Sequence, residues 1–400
     1  MTAVQTIAVI GASLAGLRAV ETLRAEGFAG RIEWIGAEAH LPYDRPPLSK
    51  SFLTSFEEPE PIALRSTSYD ALDCTPHLGV RATALDVERQ TVTLETGMTI
   101  HYDGAVLAPG ATARRLPGQP DLPGVHMLRT LDDARALRAA LVDDPRVVII
   151  GAGFIGAEVA SSCRARGISS VTMLEAGAIP MERVFGPELG AVLAQLHRSH
   201  GVDLRCNASV AGIEGTVHAT GVRLTDSTIV PADVVLVAVG AAPATDWLIG
   251  SGLTIDNGIV CDSTLLAAPN IVAAGDACAW MHPLFEERIR IEHWTNAVEQ
   301  GVAASRRLMF SGARAPEFAS IPFVWSDQHG SKFQVVGRVR GDANVHVAVG
   351  SFDEPIFVAV FETEGRVMGV VGCNQPRRMV RARHIVGSSD LTATIATLRA

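Results

Sequence analysis

Lysine is almost missing from this chain. Among its 34 basic residues only Lys50 and Lys332 are lysines, and arginine supplies the rest. In such a background a retained lysine marks a place where a compact, mobile ammonium is needed and a planar guanidinium cannot replace it; Lys50 is therefore a candidate functional residue. Paired cysteines are missing as well. Cys74, Cys163, Cys206, Cys261, Cys278 and Cys373 form no C-x-x-C motif, which excludes a redox-active dithiol of that type and the usual zinc and iron–sulfur ligand patterns. Six packed, isolated thiols are expected instead. The histidines show no metal-ligand spacing, and no metal is expected. No segment reaches the roughly 18 uninterrupted apolar residues of a membrane span. The most apolar runs, such as Val234 to Val239, have the length of buried strands. The chain enters its first strand by about residue 6, which leaves no room for a secretory leader, and a cytoplasmic location is expected.

Charge excludes another class. The net charge of −9 argues against a nucleic-acid partner. It is unevenly spread: residues 301–400 carry 12 Lys and Arg against 8 Asp and Glu, so the excess of acid lies in the first three-quarters. A basic end on an acidic protein offers a docking face for an acidic partner. At 400 residues with 48% hydrophobic and 19% charged content, the chain is globular and long enough for two or three domains.

What is abundant is glycine in two particular places. Gly11-Ala12-Ser13-Leu14-Ala15-Gly16 follows the apolar run Thr6 to Ile10, and Gly151-Ala152-Gly153-Phe154-Ile155-Gly156 follows Val147 to Ile150. Each opens an Ala-rich helical stretch. In that strand–turn–helix context the absent side chains let the backbone approach a dinucleotide pyrophosphate, and the helix N-terminus offers N–H groups and positive dipole. Two such turns imply two dinucleotides and electron transfer between them. Glu38, just beyond the second strand (Arg31 to Ile35), is placed to accept from the ribose hydroxyls of an adenosine. Glu175 is the equivalent acid after the second turn. It would repel a 2′-phosphate, so NADH is favoured over NADPH. Arg183 lies further along and can contact either.

The remaining pattern is an α/β chain. The first helix runs over Leu17–Ala25. Adjacent prolines make Leu41–Lys50 a rigid loop, residues 78–108 alternate like an antiparallel meander with a turn at Glu95-Thr96-Gly97, and 114–123 looks like a crossing between domains. A helix is expected over Leu131–Leu141. Strands are expected at Val171–Leu174 and at Val234–Val239, the latter followed by Gly240. Ile271–Ala274 reads as a strand that ends in Gly275-Asp276. Beyond residue 320 short strands take over (Phe333–Val339, His346–Val349, Ile356–Thr363, Arg366–Gly372), with Gly365 as a hairpin turn and a helix over Arg378–Val386.

The first turn, the Gly275-Asp276 motif and the second turn nested between them resemble the two-dinucleotide flavoproteins of the glutathione-reductase type. Within these, Arg45-Pro46-Pro47-Leu48-Ser49-Lys50 resembles the oxygenase-coupled, NADH-dependent ferredoxin reductases. Ala108–Thr112, Arg129-Thr130, Ile291–Trp294 and Trp325-Ser326-Asp327-Gln328 fit the same pattern, which covers essentially the whole chain. Two departures stand out: Ser13 replaces the middle glycine of the first turn, and Pro109 stands where the family more often has Thr.

The resemblance implies two nested Rossmann-like domains, an FAD-binding one (1–112 and 244–319) and an NADH-binding one (113–243), plus a C-terminal α+β domain (320–400). On the FAD side it implies contacts from Gly11, Ser13, Leu14, Ala15, Gly16, Glu38, Arg45, Lys50, Ala82, Arg129, Gly275, Asp276, His293 and Trp294, with Trp325 packed near the flavin. On the NADH side it implies Gly151, Gly153, Phe154, Ile155, Gly156, Glu158, Glu175 and Gly240. Lys50 would stabilise charge arriving with the hydride, and Glu158 would hold Lys50 and steer the nicotinamide. With no second redox centre in the chain, the electrons pass to an outside acceptor. The resemblance makes that acceptor a [2Fe–2S] ferredoxin with an acidic face, serving a cytochrome P450 or a ring-hydroxylating dioxygenase. Arg306, Arg307, Arg338, Arg340, Arg377, Arg378, Arg381 and Arg383 are candidates for its docking face. A flavoprotein NADH oxidase and an NADH-sensing flavoprotein of the apoptosis-inducing-factor type are the alternative readings. The lack of cysteine before Lys50 disfavours disulfide chemistry.

Overall fold

The computed structural model describes residues 4–55, 57–310 and 315–400. The chain forms two compact units, each assembled from separate stretches: Met1–Asp44, Pro61–Thr112 and Ala242–Pro322 in one, Arg45–Glu60, Ala113–Ala241 and Phe323–Ala400 in the other.

The first unit is organised by a six-stranded sheet in the order Leu266–Ala268, Ile271–Ala273, Gly104–Leu107, Thr6–Ile10, Arg31–Gly36, Thr75–Leu78. All neighbours run parallel except the first pair. Strands buried on both faces read as continuous apolar runs, and Ile7, Ala8 and Val9 have no exposed surface. The helix Leu14–Ala25 lies against the helix Trp294–Met309, and Gly301 makes the approach possible: a Cβ there would stand 2.5 Å from the Ala15 carbonyl oxygen. The expected meander is shorter than the sequence suggested. Ala82–Asp86, Thr91–Leu94 and Thr99–His101 form it, with Gly97 at φ +85°, but Gly104–Leu107 leaves it to pair parallel with Thr6–Ile10. Alternation alone cannot distinguish a meander strand from a short buried strand of the parallel sheet.

The second unit contains a five-stranded parallel sheet in the order Asp203–Arg205, Val171–Leu174, Val147–Ile150, Val234–Val237, Val125–His126. A three-stranded antiparallel sheet (Val210–Gly215, Ala219–Leu224, Ile229–Pro231) closes a core with it through Val148, Ile150, Val222, Val230, Val235 and Val237. The same unit holds a five-stranded antiparallel sheet in the order Phe323–Gln328, Ser331–Gly337, Arg366–Cys373, Phe357–Thr363, Asn344–Gly350. Gly365 turns its hairpin at φ +77°.

Three elements here differ from expectation. The helix Glu182–Ser199 was not legible, because Gly186 (φ +77°) and Pro187 interrupt its pattern. It packs Phe185, Leu189 and Leu193 onto Phe333, Phe357 and Phe361 of the antiparallel sheet. Each such fully buried side chain contributes about 1.5–3 kcal/mol. The tail helix is Pro376–Ala382 and not Arg378–Val386; its proline sits in the first turn, where the missing N–H is no loss. The loop before Lys50 is also helical in part: Pro46–Ser49 form a 3-10 turn that runs into the short helix Ser51–Thr54.

The glycine turns carry the tightest backbone constraint. Gly11 adopts φ +121°, and a Cβ there would lie 1.9 Å from the Ala108 carbonyl oxygen. Gly11→Ala is therefore expected to lower the thermal midpoint by about 5 °C or more; a midpoint unchanged in differential scanning calorimetry contradicts this packing.

Candidate functional site

In the first unit, the turn Gly11–Gly16 leads into the helix Leu14–Ala25. Ser13 occupies the cap in extended backbone (φ −129°) and makes no capping hydrogen bond through its side chain. The first-turn N–H groups therefore lack partners within the helix. Gly16 sits so close to Gly11 that a Cβ would be 1.7 Å from the Gly11 oxygen. Trp34 Nε1 donates to that same oxygen at 3.3 Å. Beyond the second strand, Glu38 accepts from the Tyr43 hydroxyl at 2.5 Å. Gly275 (φ +74°) opens a turn whose N–H donates to Gln300 Oε1, and a Cβ on it would stand 3.1 Å from the Ala15 side chain. Gly275 thus meets the helix start that the glycine turn opens. The Nδ1 of half-buried His293 is buried and unpartnered, and Arg290 Nε is a buried donor without a partner. Trp294 Nε1 donates to Asp44 Oδ1 at 2.8 Å. Ala82 stands at the start of the meander. A glycine cradle that a Cβ would fill, together with orphaned buried nitrogens beside Asp276, fits a dinucleotide with a polar ring system.

In the second unit, the turn Gly151–Gly156 repeats this construction. Gly151 has φ +103°, and a Cβ on Gly156 would be 2.1 Å from the Gly151 oxygen. Gly153, at the cap, meets nothing within 4 Å. Ser13 holds the same cap position in the first turn, which explains why a side chain is tolerated there. Glu175 binds the loop: its Oε2 accepts from the Ala152 N–H at 3.1 Å and its Oε1 from the Gly177 N–H at 2.8 Å. Phe154 packs edge-on against Phe185, while Ile155 is exposed. Gly240 (φ +98°) accepts from the Arg114 N–H. Arg45 Nη1 donates to the Arg129 carbonyl, joining two expected contacts. Arg183 opens the helix Glu182–Ser199 and its carbonyl accepts from Gly341.

Glu158, only 4% exposed, lies in the helix Phe154–Ala165. It stands just past the first turn, so the macrodipole is not what holds it. Lys50 Nζ lies 2.7 Å from its Oε2, which also accepts from Ser49 Oγ at 2.5 Å, and Ser326 Oγ donates to its Oε1 at 2.6 Å. Ser162 Oγ and Arg166 Nη1 donate to the carbonyls of Ser49 and Leu53, fixing the Lys50 segment on the helix. Sequence reading found Lys50 and Glu158 but not the roles of Ser49, Ser326, Gln328 and His197. Their signal was polarity in apolar settings: Ser326 and Gln328 alternate on one face of a strand, and His197 continues the Leu189–Leu193 stripe of its helix.

One other expectation needs correction. Cys261 and Cys278 are neighbours, with sulfurs 3.8 Å apart, because Ile259–Cys261 and Cys278–His282 pair in parallel. Burial pushes the Cys278 thiol well up. Among the arginines proposed for docking, Arg306 pairs with Glu26, Arg340 with Asp342, Arg378 donates to the Leu398 carbonyl and Arg383 lies over the Phe323 ring. Arg377 and Arg381 are exposed, with Val380 between them on one face of Pro376–Ala382. Trp325 tilts against Phe323 in the strand Phe323–Gln328. No helix among the described residues is long and apolar enough to cross a membrane.

A family model described as pyridine nucleotide-disulphide oxidoreductase matches residues 5–301, and one described as reductase C-terminal matches residues 323–396. Rhodocoxin reductase of Rhodococcus erythropolis is 36% identical over 387 residues, 96% of this chain and 90% of that protein. The biphenyl dioxygenase system ferredoxin–NAD(+) reductase component of Paraburkholderia xenovorans is 37% identical over 390 residues, 96% of this chain and 94% of that protein. The crystal structure of a covalent putidaredoxin reductase–putidaredoxin complex contains a chain similar to this one with TM-score 0.91 and 31% identity, covering 99% of this chain and 98% of that one.

Three desolvated imidazoles, buried His197 and half-buried His293 and His329, set a pH dependence. Burial pushes His197 and His293 down to about 4 and His329 down to about 3. In the unfolded chain these rings take up protons from about pH 6.5 downward, whereas the folded ones do not. Stability is thus unaffected by them above that pH and falls as pH drops toward 4. The thermal midpoint is expected to decline between about pH 6.5 and about pH 5, and less steeply in His197→Gln; a midpoint flat across that window contradicts the assignment.

Proposed function

The chain belongs to the pyridine nucleotide-disulphide oxidoreductase family, and from that premise we propose that it is an FAD-dependent NADH:ferredoxin reductase. It delivers electrons to a [2Fe–2S] ferredoxin that serves a cytochrome P450 or a ring-hydroxylating dioxygenase, in the cytoplasm, where NADH is available. The relatives' names support the partner class, since they are ferredoxin–NAD(+) reductases of dioxygenase systems and the reductases of rhodocoxin and putidaredoxin. The observation that carries the reading is the pairing of Lys50 with buried Glu158, which lies on the helix opened by the Gly151 turn.

In this reading residues 1–112 and 244–319 are the FAD-binding domain, 113–243 the NADH-binding domain and 320–400 the C-terminal domain. Ser13, Leu14, Ala15 and Gly16 face the FAD pyrophosphate with backbone N–H groups, while Gly11, whose own N–H donates to the Ile35 carbonyl, lets the phosphates approach; Glu38 binds its adenosine ribose, and Asp276 its ribityl chain. His293, with its unpartnered Nδ1, and Trp294 serve the same cofactor, as do Arg45, Ala82 and Arg129. Gly151, Gly153, Phe154, Ile155 and Gly156 bind the NADH pyrophosphate, with Gly240 lining the same strand ends. Glu175 already accepts from the Ala152 N–H of the turn and from the Gly177 N–H of its own loop, and its charge disfavours a 2′-phosphate. Bound FAD supplies the conversion of a two-electron hydride into single electrons. Lys50 holds an ammonium that stabilises the added negative charge, and Glu158 fixes that ammonium while steering the nicotinamide. The exposed Arg377–Val380–Arg381 face offers positive charge and an apolar contact to an acidic ferredoxin.

In a coupled assay with NADH and cytochrome c, added ferredoxin is expected to raise the rate strongly and saturably, and rising salt is expected to weaken that gain. Equal rates with and without ferredoxins from P450 and dioxygenase systems contradict the carrier role; fast NADH consumption with oxygen alone indicates an oxidase instead.

A further inference from the structure

Beyond the Lys50–Glu158 pair, hydrogen bonding continues through the second unit as an unbroken chain. Ser326 Oγ donates to Glu158 Oε1 at 2.6 Å, Gln328 Nε2 donates to Ser326 Oγ at 3.0 Å, Gln328 Oε1 lies 3.2 Å from His197 Nε2, and His197 Nδ1 lies 3.0 Å from His329 Nε2. Ser326, Gln328 and His197 are no more than 2% exposed. The chain ends at His329, whose ring stacks on exposed His200 with centroids 4.4 Å apart. The His329 backbone N–H is fixed by Ser161 Oγ at 2.7 Å.

The direction of every bond follows from one end. A carboxylate only accepts, so the Ser326 hydrogen points to Glu158. Ser326 must then accept, which turns the Gln328 amide NH₂ toward it. The amide oxygen accordingly faces His197, which must donate through Nε2–H. A neutral His197 so arranged accepts at Nδ1, and His329 donates to it. Burial supports two neutral rings, pushing His197 down to about 4 and His329 to about 3, the latter aided by His197, His200 and Arg164 nearby.

We propose that His329, His197, Gln328 and Ser326 form a one-way donor chain whose dipoles all point at Glu158 and orient its carboxylate, making Ser326, Gln328 and His197 positioning residues for the Lys50–Glu158 pair. Aligned bonds of this kind polarise one another. The chain also commits His197 to a single tautomer, with the proton on Nε2. The functional side of this inference rests on the reading of Glu158 as the nicotinamide-side carboxylate; the polarity of the chain does not.

That polarity gives a sharp test. In Glu158→Gln, Lys50 and Ser49 both donate to the Oε2 side, so the new amide oxygen stays there and its NH₂ faces Ser326. Ser326 must now accept from residue 158 and donate to Gln328, whose amide flips. His197 Nε2 becomes an acceptor and its proton moves to Nδ1. The measurement is the imidazole nitrogen spectrum of the FAD-loaded full chain labelled with ¹⁵N-histidine, near neutral pH, with His197 assigned from His197→Gln. The wild type is expected to show His197 as the Nε2–H tautomer and Glu158→Gln to show it as Nδ1–H. Ser326→Ala, which cuts the chain, is expected to give a mixture and to slow flavin reduction at saturating NADH about five- to twentyfold, with a smaller change in NADH affinity. Wild-type His197 protonated on Nδ1, or a tautomer unchanged in Glu158→Gln, overturns the chain. A tautomer switch with no loss of reduction rate in Ser326→Ala overturns the positioning role while leaving the geometry standing. A wild type whose flavin NADH does not reduce overturns the proposed function instead.

Discussion

A carboxylate withdrawn from water has to be met by donors, and Glu158 is the residue on which that requirement falls. The effective penalty for burying such an ion is several kcal/mol. It is offset here by three donors from two other stretches of the chain: Ser49 and Lys50 from the Pro46–Ser49 turn and its cap, and Ser326 from the first strand of the C-terminal sheet. One acceptor-only group therefore ties a proline-stiffened turn and a sheet strand to a single helix. The prolines matter because a flexible segment would lose more entropy on being held this way. Lysine is suited to the site since its ammonium can meet Glu158 Oε2 and the Pro46 carbonyl, 3.2 Å away, at once. In a protein that otherwise uses arginine almost throughout, this demand for a compact cation accounts for Lys50.

The two glycine turns solve a different problem with the same backbone. In each, the first glycine takes a positive φ beside a carbonyl oxygen and the last lies against the first, so neither accepts a side chain. The middle position faces open space in the second turn, and serine occupies it in the first. Helix capping without a side-chain acceptor leaves N–H groups for an outside anion, consistent with phosphate binding at both. The acids after each second strand behave differently. Glu38 is positioned by a tyrosine hydroxyl, whereas Glu175 spends both oxygens on backbone N–H groups and so also stiffens the loop.

Much of this was legible in the sequence where the controlling interactions are local. Apolar runs of strand length followed by glycine turns announced both strand–turn–helix segments, and Gly365 and Gly97 marked their hairpins. Lys50 and Glu158 stood out through composition and resemblance. What stayed hidden depends on contacts remote in sequence. Gly104–Leu107 looks like its meander neighbours until parallel pairing claims it. The helix Glu182–Ser199 is masked by Gly186-Pro187 although tertiary packing on Phe333, Phe357 and Phe361 holds it. The adjacency of Cys261 and Cys278 follows from strand pairing, and the run from Glu158 through Ser326 and Gln328 to His197 joins a helix, a strand and another helix that no local pattern connects.

The central claim is that the Lys50 ammonium, held by buried Glu158, makes the reducing step fast. Rapid-mixing measurement of FAD reduction by NADH in Lys50→Met, which keeps the aliphatic stem and removes the charge, tests it most directly. The account predicts a protein that still binds FAD but is reduced at least about tenfold more slowly; reduction at the wild-type rate would contradict it.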